Sequence, residues 1–454
     1  MLQNKNIQHW IHHLSPALIL LCFYFIAIII STFLLSLPIS YKKGIQIPFI
    51  DVLFTAVSAL SVTGLTTVSV AETFSTTGII ILTVILHLGA VGIMSASTFI
   101  WLLFGKKIGF FERRLLMQDQ NQLTFGGIVG LIKQIIIVFF IVEILAILIL
   151  GTYFLRYFPT VKEAYFQGYF SVISAMSNAG FALSDQSYIP YSGDYFFQVI
   201  IMILIIFGAI GFPVLIEVKQ YLLKKRRTKR KYRFSLFTKL TTSTFFLLVF
   251  FGTLIIYLLD YNQFFKDKGW SESFFYSLFQ SVTTRSAGLS TMDVSLLTES
   301  NHLFISFLMF IGASPSSAGG GIRTTTFALV LIFILTYARG GKRIKIFHRE
   351  IYDEDLLKAV TVTIVASAII FFSLLLLSWV EPFTLSELLF EVTSAFGTVG
   401  LSLGITSELT TISKVILIIL MFIGRVGLLT FIFTFKKIND HENVRYPKER
   451  MIIG

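Results

Sequence analysis

One internal repeat runs through almost the whole of this 454-residue chain and centres on four glycines, Gly64, Gly180, Gly288 and Gly400. Successive glycines are 116, 108 and 112 residues apart, and a similar eight-residue phrase surrounds each one. A regular period of this kind indicates a fold assembled from copies of one structural unit. The four phrases are SALSVTGL (58–65), SAMSNAGF (174–181), VTTRSAGL (282–289) and SAFGTVGL (394–401).

The composition places those four units in a membrane. Apolar residues make up 55% of the chain, charged residues only 14%, and the mean hydropathy is +0.80. These values are typical of a polytopic helical membrane protein and exclude an ordinary soluble domain. The single cysteine, Cys22, excludes an intrachain disulfide framework and a cysteine-based metal site.

Eight apolar stretches are long enough to cross roughly 30 Å of hydrocarbon. The eight stretches form four consecutive pairs. The two stretches of each pair are separated by a segment of only about 10–14 residues, which is too short for a full crossing at about 1.5 Å per residue. We interpret these short segments as re-entrant pore helices. The expected spans are 14–37, 76–104, 130–155, 195–222, 236–260, 301–338, 357–380 and 409–435, with pore helices at about 50–61, 163–176, 271–283 and 385–396.

Each repeat therefore reads as an outer helix, a pore helix, a filter loop and an inner helix. The predicted fold class is an all-α integral membrane protein with four such repeats in tandem around a pseudo-fourfold central pore. Non-helical backbone at membrane depth is tolerated where it lines a cavity, which is the position expected for the filter loops. The predicted repeat boundaries are 1–118, 119–233, 234–349 and 350–454.

The distribution of basic residues predicts the orientation. The termini and the linkers between pairs hold 24 Lys and Arg residues, whereas the loops within pairs hold 6. The positive-inside rule then puts both termini in the cytoplasm and the four filter loops outside. Nine of the 24 lie in 219–233. We interpret that stretch as a topological signal, with binding of anionic lipid or of a cytosolic partner as the alternative.

A second repeated pattern marks the inner helices. They contain GAVG (89–92), GAIG (208–211), GASP (312–315) and GRVG (424–427). We interpret the small residues as sites of close helix packing. Two further residues in apolar spans, His87 and Glu143, are interpreted as members of satisfied interhelical contacts.

The glycine-centred loops suit the binding of a dehydrated monovalent cation. Such an ion needs several oxygen ligands, and rings of backbone carbonyls can replace its water shell. Glycine accepts a positive φ without Cβ strain, so a loop centred on it can turn its carbonyls inward. Acidic residues near the start of each pore helix complement the helix dipole. They are Asp51, Glu163, Glu272 and Glu387.

With these repeats the chain resembles the Trk/Ktr/HKT superfamily of cation transporters, in which one chain concatenates four potassium-channel-like units, and it looks most like KtrB, the bacterial membrane subunit. The resemblance implies potassium transport through filter carbonyls and no enzymatic activity. The implied ion-contacting residues are Val62, Thr63 and Gly64; Asn178, Ala179 and Gly180; Ser286, Ala287 and Gly288; and Thr398, Val399 and Gly400.

The third repeat departs from the others. Arg285 stands three residues before Gly288, and we expect its side chain to point behind the filter and bond to loop carbonyls. The third inner span, 301–338, would be about 57 Å long as one helix, so we expect the segment 312–326 to break it. A passive kink is the alternative. The resemblance implies a pore-obstructing gate built from Gly312, Pro315, Gly319, Gly320, Gly321 and the mid-span Arg425.

The resemblance also implies partners and a location. It implies a homodimer in the bacterial cytoplasmic membrane and a cytosolic nucleotide-binding ring of RCK type, with K⁺ as cargo and Na⁺ as a candidate second ion. The chain itself has no nucleotide-binding fingerprint, so we expect no cofactor on it and no nucleic-acid partner. A membrane-embedded enzyme and a sodium-coupled carrier with inverted repeats are the alternatives; equal orientation of all four repeats argues against the carrier.

Overall fold

The structure is a computed structural model that describes residues 15–120, 127–225, 232–341 and 343–434 together with Glu449. Within those residues the fold is nearly all helical, and one order of helices occurs four times. The first repeat contains α1 (Pro16–Ser36), α2 (Phe49–Ser61), α3 (Val70–Thr73), α4 (Thr76–Val91), α5 (Ile93–Leu103) and the linking helix α6 (Phe110–Asp119). The second contains α7 (Ile128–Phe154), α8 (Val161–Ser177), α9 (Tyr195–Ala209) and α10 (Phe212–Lys225).

The third repeat contains α11 (Leu236–Leu259), α12 (Trp270–Thr283), α13 (Glu299–Ile311) and α14 (Thr324–Ala338). The fourth contains α15 (Asp353–Val380), α16 (Leu385–Gly397), α17 (Thr411–Val426) and α18 (Leu428–Thr434). Between the last two repeats, the two-residue strands β1 (Lys345–Ile346) and β2 (Arg349–Glu350) pair antiparallel. Short 3₁₀ turns lie at Pro38–Ser40, Ile189–Tyr191, Val294–Leu296 and Ile405–Ser407.

The outer helices α1, α7, α11 and α15 are 21, 27, 24 and 28 residues long. At about 1.5 Å per residue each is long enough to cross a bilayer. Their outward side chains, such as Phe25, Ile144, Phe250 and Phe372, are apolar and exposed, which suits a surface solvated by lipid. Among the described residues these four helices meet the criteria of a span, and the count becomes six if each of two bent pairs is one span.

The pore helices α2, α8, α12 and α16 have 13, 17, 14 and 13 residues, so they reach about 20–26 Å. Their reduced length confirms the sequence prediction of short helices between the spans. Each has an acidic residue in its first turn, where a carboxylate complements the positive end of the helix dipole. These residues are Asp51, Glu163, Glu272 and Glu387.

The buried phenylalanine of the third pore helix stands one residue closer to its filter glycine than the phenylalanines of the other repeats do. A fully buried phenylalanine stands ten residues before the glycine in three repeats, at Phe54, Phe170 and Phe390. In the third repeat the buried aromatic is Phe279, nine residues before Gly288. The phenylalanines of the four pore helices therefore do not align by counting back from the glycines.

All four inner helices are broken, not only the third. Helices α4 and α5 meet at 99°, and α9 and α10 meet at 105°. A glycine with positive φ stands at each break: Gly92 (+92°), Gly211 (+98°), Gly312 (+68°) and Gly427 (+89°). Residues with a Cβ rarely adopt this conformation, so glycine permits the turn. The prediction of unbroken helices over 76–104, 195–222 and 409–435 is thus wrong within the described residues.

The first glycine of the GxxG pattern serves a different purpose from the second. A Cβ at Gly89, Gly208 or Gly424 would collide with a backbone oxygen at the end of the pore helix of the same repeat. The prediction of close packing through small residues is confirmed in these three repeats. The oxygens belong to Leu60, Met176 and Phe396, in each case four residues before the filter glycine.

One buried ion pair and one contact between a half-buried histidine and a buried carboxylate join neighbouring repeats. Lys414 in α17 contacts Asp51 in α2 at 2.8 Å, which connects the fourth repeat to the first. His87 in α4 contacts Glu143 in α7 at 3.1 Å, which connects the first repeat to the second. This confirms the interpretation of His87 and Glu143 as an interhelical contact, and it follows the rule that buried charges are paired.

Candidate ion pathway

Each filter loop contains two residues with positive φ, the central glycine and the residue two positions before it. The glycines have φ between +68° and +95°. The residues before them are not glycines, and such a backbone costs roughly 1–3 kcal/mol at a non-glycine position. This repeated conformation makes the four loops candidate functional sites, although three of these residues also end a pore helix as left-handed caps. The non-glycine residues are Val62 (+58°), Asn178 (+57°), Ser286 (+88°) and Thr398 (+47°).

The four loops meet in a closed ring. A Cβ on Gly64 would lie 2.5 Å from the carbonyl oxygen of Ala179, and one on Gly180 would lie 3.1 Å from that of Ala287. The same relation continues around the ring. A Cβ on Gly288 would collide with the Val399 oxygen, and a Cβ on Gly400 would collide with the Thr63 oxygen.

In every repeat the oxygen just before the glycine thus faces the glycine of a neighbouring repeat, in the cyclic order first, second, third, fourth, first. One backbone oxygen from each repeat thus lies at the junction of the four loops, and rings of backbone carbonyls are one way in which proteins replace the water shell of a cation. The four oxygens are those of Thr63, Ala179, Ala287 and Val399.

A hydroxyl from each pore helix holds its filter loop from behind. The amide of Gly64 donates to Ser58 Oγ, and the amide of Gly400 donates to Ser394 Oγ, both at 3.0 Å. In the other two repeats the hydroxyl donates to the carbonyl after the glycine, at 2.6 Å. These bonds explain the serine that begins three of the four phrases. The two donors are Ser174, to Phe181, and Thr283, to Leu289.

A vestibule of about 570 Å³ adjoins the ring, and all four repeats contribute to its lining. Taken over the described residues, the lining includes Asp185 and Asp293 and no basic side chain. Two carboxylates in a concave space raise the local concentration of cations. The vestibule therefore favours positively charged solutes at this side of the ring.

The intramembrane loop, defined here as residues 312–323 between α13 and α14, lies directly at the opposite side of the ring. A Cβ on Gly319 would collide with Ser286, and a Cβ on Gly320 would lie 2.6 Å from Thr398 Oγ1. The Gly320 amide donates to Ser286 Oγ at 3.3 Å. The glycines thus bring the loop backbone against the two residues at the inner end of the third and fourth filters.

Backbone hydrogen bonds fix the intramembrane loop to the broken inner helix of the second repeat. The amide of Ser314 donates to the Ala209 carbonyl and that of Ala318 to the Gly208 carbonyl, each at 3.0 Å. Those carbonyls stand at the end of α9, where a helix leaves its last acceptors unpaired. The breaks in the inner helices thereby supply partners for a non-helical segment at membrane depth.

The remaining residues of the expected gate lie at the same level. Pro315 lies over the break in the second repeat, since a Cβ on Gly211 would be 2.8 Å from its carbonyl oxygen. Gly321 lies against the break in the third repeat, since its Cβ would be 2.9 Å from the Gly312 Cα.

Arg425 joins the intramembrane loop to the first and fourth repeats. Its guanidinium, near the end of α17, donates to the Ala318 carbonyl in the loop and to the Gly89 carbonyl in α4. A third bond reaches the Ala90 carbonyl at 3.2 Å. A guanidinium has five donors in a fixed plane, so one side chain can bridge acceptors on separate segments.

A second arginine that the sequence interpretation did not single out also holds the loop. Arg323 donates to the Gly319 carbonyl and, at 3.2 Å, to the Ser314 carbonyl. The signal for it was present, because a charged residue within an apolar span is usually functional. Next to the two arginines lies a cavity of about 20 Å³, which is room for about one water molecule.

Arg285 is fully buried, and its hydrogen bonds go to the Thr284 hydroxyl and the Leu308 carbonyl. One of its nitrogens donates to the Leu308 carbonyl in α13 at 2.9 Å. Its position behind the filter agrees with the expectation from the sequence, but the acceptor is a helix carbonyl and not one of the filter loop. The third inner helix therefore supports the third filter through this side chain.

The family model for "TrkH: Cation transport protein" matches residues 14–446. The chain belongs to this family. Two curated relatives from Bacillus subtilis (strain 168) are Ktr system potassium uptake protein D, 53% identical with 98% of each chain covered, and Ktr system potassium uptake protein B, 37% identical with 100% of each covered. These comparisons confirm the resemblance, and the relatives are cation transporters and not enzymes.

A solved structure supports the fold independently. The crystal structure of the potassium transporter TrkH from Vibrio parahaemolyticus matches with a TM-score of 0.69 and 18% identity, covering 91% of this chain and 84% of that one. Together with the apolar helices, this match establishes the predicted class, a multi-pass helical membrane protein of the TrkH fold.

Proposed function

We propose that this chain is the potassium-translocating membrane subunit of a bacterial potassium-uptake system. The observation that carries the proposal is the closed ring of backbone oxygens from Thr63, Ala179, Ala287 and Val399. The relatives named above are potassium uptake proteins, and a further relative, 32% identical, is the potassium/sodium uptake protein NtpJ of Enterococcus hirae. The vestibule collects cations, and the carbonyl ring replaces the water shell of K⁺.

The intramembrane loop acts as the gate in this proposal. It lies between the filter and the inner side, it is bonded to the second inner helix, and the small cavity beside it has room for about one water molecule. Arg425 bonds to the loop and places a positive charge below the filter. A hydrated cation does not fit that space, so conduction requires the loop to move.

Further subunits complete the proposed system. The name "Ktr system" of the two Bacillus relatives indicates several components. The proposed partners of this chain are a second copy of itself, a cytosolic nucleotide-binding ring and anionic lipid. Na⁺ is the proposed second ion, and both termini lie on the cytoplasmic side. The basic stretch 219–233 is the proposed contact for lipid or ring; its central part, 226–231, lies outside the described residues.

The test is potassium uptake by the Gly64→Ser variant. At φ +95°, with the Ala179 oxygen 2.5 Å from the added Cβ, a side chain strains the loop and displaces the ring. We expect wild-type protein to restore growth of a transport-deficient strain at low K⁺, and Gly64→Ser to lose discrimination of K⁺ from Na⁺ at least several-fold.

Gly44→Ser is the matched control. Gly44 also has a positive φ (+84°), but open space surrounds it, so this variant should keep wild-type selectivity. Wild-type protein that transports no K⁺ in cells or in liposomes would refute the proposed function. Equal selectivity in the Gly64→Ser and wild-type proteins would refute the assignment of the filter.

A further inference from the structure

A buried polar residue follows the buried phenylalanine of each pore helix, directly behind the filter loop. The four positions align by the phenylalanines and not by counting back from the glycines. In three repeats this polar residue is neutral, whereas in the fourth it is a carboxylate that is fully buried. The four residues are Thr55, Ser171, Gln280 and Glu391.

The carboxylate of Glu391 binds the segment that follows the fourth filter. Ser402 Oγ donates to one carboxylate oxygen at 2.5 Å, and Thr406 Oγ1 donates to the other at 2.9 Å. The Gly404 amide in turn donates to Ser402 Oγ at 2.8 Å. Ser402 lies two residues after Gly400, so these bonds fix the outer end of the fourth filter.

The same two hydroxyl residues line the vestibule. Ser402 and Thr406 belong to its wall, together with the four filter glycines. The carboxylate of Glu391 is therefore separated from the vestibule by a single layer of hydroxyl groups. A fixed charge this close to a narrow aqueous space acts strongly on an ion inside it, because little water lies between them to screen it.

Within the part of the chain that the structure describes, no positive side chain forms an ion pair with Glu391. By contrast, the buried Asp51 is paired with Lys414 and Glu143 with His87. A buried charge without a partner is costly. A cation held at the outer end of the fourth filter would offset that cost each time the position is occupied.

We propose that Glu391, in its ionised form, provides the negative charge for a monovalent-cation position at the outer end of the fourth filter, with Ser402 and Thr406 holding the carboxylate in place. This inference rests on the proposed potassium pathway and adds to it a specific asymmetry among the four repeats. Glu391 is a positioning residue: it acts on the ion through space and through its two hydroxyl partners and does not touch the ion.

The experiment compares Glu391→Gln with wild-type protein in liposomes that contain this chain alone. Gln has nearly the same shape, and Gln280 already stands at this position in the third repeat. We expect the half-saturating K⁺ concentration for flux to rise about tenfold, equivalent to about 1.4 kcal/mol, while the maximal rate stays within about twofold. A purely structural role for Glu391 predicts the opposite, a lower maximal rate with unchanged half-saturation.

Glu408→Gln is the matched control, because Glu408 lies in the same outer segment but is exposed. It should leave half-saturation unchanged. An equal shift in both variants, or none in Glu391→Gln, overturns the inference. If the Glu391→Gln protein does not reconstitute into liposomes, Glu391→Ser, which copies Ser171 of the second repeat, replaces it. The same rise in the half-saturating K⁺ concentration is then expected. Absence of wild-type K⁺ transport both in liposomes and in the transport-deficient strain would instead refute the proposed function.

Discussion

Replacing Arg425 with alanine should open the pathway when the chain is alone in a membrane. The side chain is buried, and the bond to the Ala318 carbonyl is its direct connection to the intramembrane loop. Its other two acceptors, Gly89 and Ala90, lie in α4 and do not hold the loop. The substitution removes both this connection and a positive charge below the filter.

The magnitude follows from that single bond. A hydrogen bond from a charged group contributes about 1.5–3 kcal/mol, and 1.4 kcal/mol is a factor of ten. Loss of the Ala318 bond should therefore shift the balance between closed and open loop about 10- to 150-fold. The bonds of Ser314 and Ala318 to α9 remain, so the loop is loosened and not released completely.

The assay is K⁺ and Na⁺ flux from liposomes, measured in parallel for Arg425→Ala, Arg425→Lys and the exposed control Arg339→Gln. We expect at least a tenfold rise for alanine and a smaller rise for lysine, which keeps the charge but not the planar donors. The ratio of K⁺ to Na⁺ should not change, because the carbonyl ring lies above the loop. Unchanged or lower flux through correctly folded Arg425→Ala protein would refute this account of the gate.

Two further predictions concern packing between segments. Gly424→Ala should lower the free energy of unfolding by about 1–3 kcal/mol because the added Cβ collides with the Phe396 oxygen. The control Gly193→Ala, whose Cβ meets open space, should not lower the thermal unfolding midpoint. Equal midpoints in the two variants would contradict the packing argument. Asp51→Asn should cost about 3–5 kcal/mol because it leaves Lys414 buried without its partner at 2.8 Å. The double variant Asp51→Asn/Lys414→Met should recover much of that loss, and a purely additive effect in detergent unfolding experiments would show that the pair is not coupled.

The sequence predicted the structural elements that recur in all four repeats, but it did not predict the points at which a helix changes direction. The half-length pore helices and their acidic first turns follow from the length of the apolar runs and from the positions of residues such as Glu163 and Glu387. The break at Gly92 was not predicted, because apolar residues continue on both sides of it and the hydropathy of 76–104 does not change at the turn. In the sequence, only the second glycine of each GxxG pattern indicated that the helix breaks there.

The parts of the pathway that the sequence could not supply are pairings between distant segments. Asp51 was interpreted through its own helix dipole, yet its partner Lys414 is 363 residues away. Glu391 looked like an ordinary residue of a short helix, and only its position beside Ser402 and Thr406 distinguishes it. Hydrophobic patterning constrains which side of a helix is buried but does not specify which side chain of another repeat lies opposite.

Closure of the ring has a consequence for the biosynthesis of the protein. The first and last repeats meet at the filter, where Gly400 faces the Thr63 oxygen, and again at the pair of Asp51 and Lys414. The two halves of this junction leave the ribosome roughly 20–70 s apart at about 5–20 residues per second. During that interval an incomplete chain lacks the fourth filter loop, so a protein truncated before α16 cannot form the closed ring.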